Sequence, residues 1–312
     1  MRRADRIFEI IKETVDLGDG SLSVSMLCEQ AGVSRSGYYR WLASEPQRKR
    51  KEEQDKADFN LILTAYRFRG YNKGARGIYM RLLHLDVIMN VKKIRRLMCK
   101  YNLFCPIRKA NPYRRMMAAM RTDCVADNVL NRRFESLGPR AVMLTDITYI
   151  PYIHAGTRVF CYLSVIIDAC TKQVMAYRLS ESLEVDFVLD TVKDLIEHHA
   201  HELKTDTLIH SDQGSHYTSH KFIDLLNDLE ITRSMSRKGC CWDNAPQESF
   251  FGHMKDEIDI SECRTVREVK DVIGDWMDYY NKDRYVWDLA KLSPDEYYQY
   301  RITGKYPLRR GE

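Results

Sequence analysis

Residues 141–236 constrain the fold more than any other part of the chain. Three apolar strand patterns follow one another with short turns between them, over AVMLTDITYIPY, RVFCYLSVIIDA and KQVMAYRLS. Helix and strand patterns then alternate as far as ITRSMS, and another helix signal follows at Pro246. The order β-β-β-α-β-α-β-α predicts an α/β fold with a five-stranded mixed sheet and flanking helices.

Three acidic residues stand at unusual places in this pattern. Asp146 interrupts the apolar alternation of the first strand, Asp212 ends the fourth, and Glu248 opens the helix that follows the fifth, with Asn244 as its N-cap. Three carboxylates at one end of a sheet repel one another unless a multivalent cation joins them, and hard oxygen ligands suit Mg²⁺ or Mn²⁺. Three unrelated structural acids are the alternative, and that alternative is stronger for Glu248 taken alone.

Charge divides the chain into two parts. Residues 1–140 hold 29 Lys and Arg against 15 Asp and Glu, whereas residues 141–312 hold 20 against 29. Residues 67–121 contain 15 basic residues and a single acid, Asp86, interleaved with aromatic residues. Most charge runs are solvated helix faces, but this near absence of acids favours a surface for a polyanion, with nucleic acid as the first candidate.

The basic half also has the pattern of DNA-binding helices. SVSMLCEQAGVSRSGYYRWLA predicts a helix-turn-helix with its turn at Gly32 and a second helix capped by Ser34, so that Arg35 and Arg40 project towards a DNA groove. Three-helix bundles without DNA function use the same apolar spacing. A second helix pair follows, in which Asn90 caps a helix with a basic outer face. The predicted DNA contacts of that face are Lys92, Lys93, Arg95, Arg96 and Lys100.

Periodicity fades between the second helix pair and the first strand. The composition there predicts a basic linker that lies along a phosphate backbone. Its candidate DNA contacts are Arg108, Lys109, Arg114 and Arg115.

Other features narrow the class of protein. No apolar run reaches the roughly 18 residues of a membrane span, and acids interrupt the N-terminal segment, so we expect no membrane partner and a cytoplasmic, nucleoid-associated protein. The nine cysteines show no C-x-x-C pair, which favours reduced thiols. A zinc site at Cys99, Cys105 and a histidine is the sharper alternative, but its spacing matches no usual ligand pattern.

Four segments resemble the catalytic core of insertion-sequence transposases of the IS-three family, in the second-frame or fused product. These segments are LTDITYI, LSVIIDA, HSDQGSHYTS and MSRKGCCWDNAPQESFFGHMKDE. The resemblance extends from about residue 140 to about residue 300, and the helical units upstream resemble the family's N-terminal region. It implies a retroviral-integrase-like DDE core with an RNase H-like fold, preceded by all-α helix-turn-helix units.

The resemblance also assigns residues. The family's acidic triad maps onto Asp146, Asp212 and Glu248, with 35 residues between the last two, and its basic residue seven positions beyond the Glu falls on Lys255. Lys255 then suits a DNA phosphate or a terminal base. The secondary candidates for orienting metal or phosphate are His210, Ser211 and Asn244, of which the first is equally a structural residue at a strand end.

The activity implied is that of a DNA transposase, a polynucleotidyl transferase with two Mg²⁺ ions per site, for which Mn²⁺ substitutes. Water attacks a phosphodiester at the element end, and the 3′-hydroxyl released attacks a second phosphodiester, by a copy-out and paste-in route through a circular intermediate. The expected partners are double-stranded DNA of the terminal inverted repeats and of the target, further copies of the chain on DNA, and an upstream-frame product. Two alternatives stay open: an RNase H-like nuclease, and a sequence-specific DNA-binding regulator without strand transfer.

The sequence departs from the family pattern at Gln213, where a basic residue is usual, and at Tyr285, Val286 and Trp287, which replace an Arg-rich and His-containing segment. Upstream of that segment, Thr265 and Glu268 form a capping box for a helix that packs on the core. The predicted domains are residues 1–47 (helix-turn-helix), 48–66 (charged helical connector), 67–105 (second basic unit), 106–139 (basic linker), 140–260 (catalytic core) and 261–312 (helical extension).

Overall fold

The computed structural model describes residues 3–17, 22–106, 137–236 and 245–308. The chain divides into two compact units, Met1–Leu63 and Thr64–Glu312. The six predicted domains divide the chain more finely than these two units, and their boundaries stay a prediction.

The first unit is helical. It contains α1 (Arg3–Leu17), α2 (Val24–Gln30), α3 (Arg35–Ala43) and most of α4 (Glu45–Arg67). The Ser34 side chain accepts the backbone N–H of Gly37 and so caps α3, and Gly32 has a φ of 65° at the turn before it. The predicted helix-turn-helix geometry is therefore confirmed, with a core formed by Phe8, Ile11, Cys28 and Tyr38.

The second unit begins with another helix pair, α5 (Ala75–His84) and α6 (Val91–Lys100). The Asn90 side chain accepts the N–H of Lys92 at 2.8 Å, which confirms the predicted cap of α6. The apolar face of α6 is buried through Ile94, Leu97 and Met98. Residues 107–136 of the predicted linker, including Arg108, Lys109, Arg114 and Arg115, lie outside the described residues.

A five-stranded mixed sheet forms the centre of the second unit. Its strands are β1 (Val142–His154), β2 (Thr157–Asp168), β3 (Val174–Ser180), β4 (Leu208–Ser211) and β5 (Thr232–Met235), in the order β3-β2-β1-β4-β5. The first three strands are antiparallel, whereas β4 and β5 run parallel to β1. The predicted α/β core of RNase H-like type is confirmed, because the meander and the two later strands join in one sheet.

Helices cover both faces of this sheet. The second unit also contains α7 (Asp186–His199), α8 (His220–Asp228), α9 (Ala245–Glu257), α10 (Val266–Lys282) and α11 (Pro294–Thr303). One apolar cluster joins β1 and β2 to α9 and α10, and the other joins the sheet to α7 and α8. Side chains alternate along β1, so Leu144 enters the first cluster and Met143 the second.

The C-terminal helices are closed by local polar caps. Thr265 and Glu268 form the predicted capping box of α10, and Ser293 and Glu296 form another at α11. Among the described residues, no helix is both long and apolar enough to span a bilayer. The cysteines among the described residues form no disulfide with one another.

Candidate catalytic site and DNA-binding surfaces

Asp146 and Asp212 are placed by neighbouring strands. Asp146 lies on β1 opposite Val165 of β2, and its Oδ1 accepts the N–H of Ile147 at 2.7 Å. β4 runs parallel to β1 and ends at Ser211, with His210 paired to Leu144. Asp212, the next residue but one after His210, therefore lies level with Asp146 of β1. One candidate acid therefore lies on β1, and another directly follows the adjacent strand β4.

A close turn orients Asp212. Its Oδ1 accepts the N–H of Gly214 at 2.8 Å, as in an Asx-turn. A Cβ atom at position 214 would lie 2.9 Å from that same Oδ1, so glycine is needed for this approach. The segment DQG carries this turn signal in the sequence, but Gly214 was not among the predicted site residues.

Helix α9 brings Glu248 to the same region. Gln247 is fully buried, and its Nε2 donates to the carbonyl oxygen of Val165 at 3.3 Å. Val165 is the ladder partner of Asp146, so this bond fixes the first turn of α9 beside Asp146. Glu248 itself is exposed, while Phe250 is buried in the core. The predicted N-cap of α9, Asn244, lies outside the described residues.

The charges of the other two acids act on Asp146. Burial raises the pKa of Asp146 to about 7; the N–H of Ile147 opposes this rise, and the charges of Asp212 and Glu248 add to it. Although Glu248 is exposed, the surrounding protein still desolvates its carboxyl enough to raise its pKa. Burial lowers the pKa of Lys255, and the charge of Asp146 counteracts that lowering. These four side chains therefore form one electrostatic group.

The donor set fits a hard divalent cation in chemistry, because three carboxylates supply oxygen ligands and a cation would relieve the repulsion at Asp146. Within the described ranges, no three His, Cys, Asp or Glu side chains form a ready metal cluster. The charges of Asp212 and Glu248 nevertheless both act on Asp146. The lack of such a cluster within those ranges also gives no support to the zinc alternative at Cys99 and Cys105.

His210 and Ser211 lie at the end of β4, and both are buried. The two ring nitrogens of His210 lie 3.0 Å from Ser234 Oγ and 2.9 Å from Ser236 Oγ. The hydroxyl of Ser211 donates to the carbonyl of Asp212 at 3.0 Å. These contacts favour the structural interpretation of His210, which holds β4 to the strand beside it.

Tyr217 was not identified from the sequence as part of this region. It is fully buried, and its hydroxyl lies 3.4 Å from Thr145 Oγ1, one residue before Asp146. Burial raises its pKa well above the ordinary value, and the charge of Asp146 adds to the rise. The phenol therefore stays neutral and packs beside the strand that carries Asp146.

The candidate DNA contacts fall in both compact units. Arg35 and Arg40 are exposed on α3 of the first unit. In the second unit, most of the basic face of α6 is exposed to solvent, and Lys93 is half-buried. The exposed residues are Lys92, Arg95, Arg96 and Lys100. Each surface by itself suits a phosphate backbone, which these basic side chains would neutralise.

The segment that departs from the family pattern has an internal role. The Tyr285 ring stacks on His84 with centroids 3.6 Å apart, and its hydroxyl accepts a hydrogen bond from Arg81 Nη1 at 3.0 Å. Trp287 contacts Tyr79, with ring centroids 5.9 Å apart. The segment therefore holds α5 against the C-terminal part of the chain, a contact that no sequence periodicity predicted.

Known family models match both the sheet region and the helical region that precedes it. Residues 137–241 and 229–285 each match a family model described as an integrase core domain, and residues 53–111 match an HTH-like domain. The HTH-like match therefore covers the second helix pair, α5 and α6, rather than the first helix-turn-helix.

Three relatives are similar over most of their length. The 31 kDa protein of insertion element IS600 from Shigella sonnei is 30% identical over 272 residues, which cover 86% of this chain and 96% of the relative. A protein of Escherichia coli strain K12 named as the InsK transposase of insertion sequence element IS150 is 33% identical over 228 residues, 72% of this chain and 76% of the relative. The InsF transposase of insertion sequence IS3A from the same strain is 24% identical over 287 residues, 91% of this chain and 96% of the relative.

The integrase-core matches, the α/β sheet and the length of these similarities agree with one another. The chain belongs to the insertion-sequence transposases of the IS-three family, DNA transposases of the polynucleotidyl transferase type with an integrase-like catalytic core.

Proposed function

We propose that this transposase cleaves and joins DNA at a site formed by Asp146, Asp212 and Glu248. The observation that carries the proposal is geometric: Asp146 lies on β1, Asp212 directly follows the adjacent strand β4, and the start of α9 is fixed beside Asp146. In agreement with this arrangement, the charges of Asp212 and Glu248 add to the rise that burial causes in the pKa of Asp146. A buried acid is usually paired with a cationic side chain; a carboxyl that faces two further acids is instead typical of a functional site.

Two divalent ions, Mg²⁺ or Mn²⁺, would neutralise charge at the phosphorus and assist both the attacking and the leaving oxygen. Asp146, Asp212 and Glu248 are the residues that would hold them. The N–H groups of Ile147 and Gly214 orient the first two carboxylates, at 2.7 Å and 2.8 Å. The contact of Gln247 with Val165 orients the start of α9 and hence Glu248.

The reaction proceeds by a hydrolysis followed by a transesterification, without a covalent protein intermediate. Water attacks a phosphodiester at the element end, the P–O3′ bond breaks, and the 3′-oxygen leaves as a hydroxyl after it gains a proton. That 3′-hydroxyl then attacks a phosphodiester of the second DNA segment, loses its proton, and displaces another 3′-oxygen. Lys255 would contact the DNA phosphate beside the cleaved bond, since it lies close enough to Asp146 for that charge to affect its pKa.

DNA recognition in this proposal involves the helical regions. The α6 face and the basic linker neutralise phosphates at the terminal inverted repeats and on the target, and α3 contributes Arg35 and Arg40. Several copies of the chain would assemble on the paired ends, since two ends and a target must meet in one complex. An upstream-frame product would add further DNA contacts.

Removal of single charges at the acids tests the proposal. In Asp146→Asn, Asp212→Asn and Glu248→Gln, end binding should persist, while 3′-hydroxyl formation and joining of a pre-cut end should both stop in Mg²⁺. Asp206→Asn, which removes an exposed acid outside this region, is the matched control and should react normally.

The same assay separates the alternatives. If Glu248→Gln joined pre-cut ends at a near-normal rate, Glu248 would be an ordinary acid at a helix edge. Cleavage without joining by the wild-type protein would indicate a nuclease. End binding without any metal-dependent reaction would indicate a DNA-binding regulator.

A further inference from the structure

The C-terminal end of α9 is held by a buried polar cluster that the proposed reaction does not use. Glu257, the last residue of α9, receives the Nε and Nη2 groups of Arg284 at 3.0 Å and 2.9 Å on Oε1. The indole Nε1 of Trp276 donates to its Oε2 at 3.1 Å. The side chains of Glu257 and Arg284 are only 7% and 15% exposed. Both carboxylate oxygens are therefore engaged away from solvent.

These contacts join α9 to a different element. Trp276 lies on α10 and Arg284 two residues beyond the end of α10. Phe250 packs edge-on against both Trp276 and Tyr280, with ring centroids 5.4 Å and 4.9 Å apart. Apolar contacts of this kind tolerate small rotations and sliding of a helix, whereas a bidentate ion pair allows only one orientation.

The two ends of α9 are thus fixed by polar contacts of different kinds. Gln247 holds the first turn to β2 through Val165, and Glu257 holds the last turn to α10. Glu257 lies nine positions after Glu248, about two and a half turns or roughly 13.5 Å of helix. A rotation of α9 about its axis would swing Glu248 away from Asp146, and the two contacts together oppose it.

We propose that Glu257 is a positioning residue. Through its contacts with Arg284 and Trp276, it sets the orientation of α9 and therefore the position of the Glu248 carboxylate. The inference rests on the proposed catalytic role of Glu248. A buried ion pair contributes little net stability compared with apolar packing, because desolvation offsets its attraction; fixing one geometry is what such a pair does well.

Glu257→Gln tests this role. It keeps the side-chain length and an acceptor for Trp276 but removes the charge that pairs with Arg284. We expect joining of a pre-cut end to fall about 10- to 100-fold, and half-saturation to require more Mg²⁺, as when a partner that orients a metal ligand is lost. Affinity for the element end should change less than about twofold, because no DNA contact is removed.

Glu202→Gln is the matched control. Glu202 also pairs with a buried arginine, since its Oε2 lies 2.6 Å from Arg140 Nη2, but it lies on no element that carries a candidate acid. The control should lose stability without a change in the Mg²⁺ response. If Glu257→Gln showed the same pattern, with an unchanged Mg²⁺ requirement, the positioning role would be overturned.

A milder variant covers the case in which Glu257→Gln does not fold. Trp276→Phe retains the buried ring and deletes only the Nε1–H donor, so it should raise the Mg²⁺ requirement in the same direction but by less. A wild-type Mg²⁺ response in folded Trp276→Phe would then contradict the proposal. Failure of the wild-type protein to join ends in Mg²⁺ would instead contradict the proposed function, which keeps the two failures distinct.

Discussion

At the scale of single residues, Asp146 is where the proposed function costs stability. Its pKa is raised from 3.8 to about 7, so the folded chain holds a proton on Asp146 between these pH values that the unfolded chain has released. The contribution of Asp146 to stability is therefore largest below about pH 4 and is lost as pH rises through about 7. Above that pH, the folded protein keeps a desolvated carboxylate beside two others.

Asp146→Asn should consequently stabilise the metal-free protein. At pH 8 we expect a gain of about 2 kcal/mol in the free energy of unfolding, discounted for partial exposure from the shift of about three pKa units. At pH 4 the gain should be small, because the wild-type carboxyl is then protonated in the folded state and already partly protonated in the unfolded state. Denaturant unfolding at the two pH values measures this; an equal effect at both would contradict the electrostatic account of Asp146.

At the scale of elements, α5 docks on the segment after α10, where the family pattern has an Arg-rich and His-containing stretch. Further contacts support this docking: Arg69 donates to Asp278 and to Asp283 at 2.7 Å each, and Tyr71 stacks on Tyr279 with centroids 4.3 Å apart. The HTH-like region is therefore anchored on α10, the helix that also supplies Trp276 to the end of α9.

Tyr285→Ala should destabilise the second unit by about 2 kcal/mol, because it removes both the ring stacked on His84 and the acceptor for Arg81. Tyr285→Phe keeps the ring and should cost only about 1 kcal/mol, the value of one hydrogen bond. Thermal unfolding gives both values. Neither variant should alter the salt dependence of DNA binding, and a reduced salt slope in Tyr285→Phe would instead indicate a direct DNA contact.

At the scale of the whole molecule, the uneven charge distribution predicts how the protein holds DNA. The exposed residues Lys92 and Arg95 of α6 should each release about one counterion on binding, so Lys92→Ala and Arg95→Ala should each reduce the log–log salt slope by about 1. Lys221→Ala removes an exposed lysine on α8 that pairs with Asp186 and should leave the slope unchanged. Affinity measured over a series of salt concentrations decides, and unchanged slopes in both α6 variants would remove α6 from the DNA interface.

Much of the fold could be predicted because its signals are local. The alternation of β1, the cap of α6 at Asn90 and the capping box at Thr265 each depend on residues within a few positions of one another. The order of the strands also limited the sheet to few arrangements. The residues of the candidate acid group were predicted for the same reason, since each interrupts or ends a regular element, or opens the next one.

The contacts that orient those residues could not be predicted in this way. Gln247 stands in the first turn of a predicted helix, yet in the fold its amide reaches Val165, 82 positions earlier. Tyr285 lies 201 positions after His84 in the sequence, and Arg284 is separated from Glu257 by 27 positions. The identity of a polar side chain does not reveal which distant group it will hydrogen-bond. The two partners lose their water and bond to each other only when the folded chain buries them together.

By itself, the sequence determined the element order, the basic and acidic halves, the helix caps and the identity of the three candidate acids, since periodicity, charge and capping are properties of short stretches. The tertiary structure alone decided the burial and the neighbouring charges that raise the pKa of Asp146, the docking of α5 on the Tyr285 segment, and the contacts that hold α9 at Gln247 and Glu257. Those features depend on desolvation and on distances between remote side chains, which are fixed only when sheet and helices pack together.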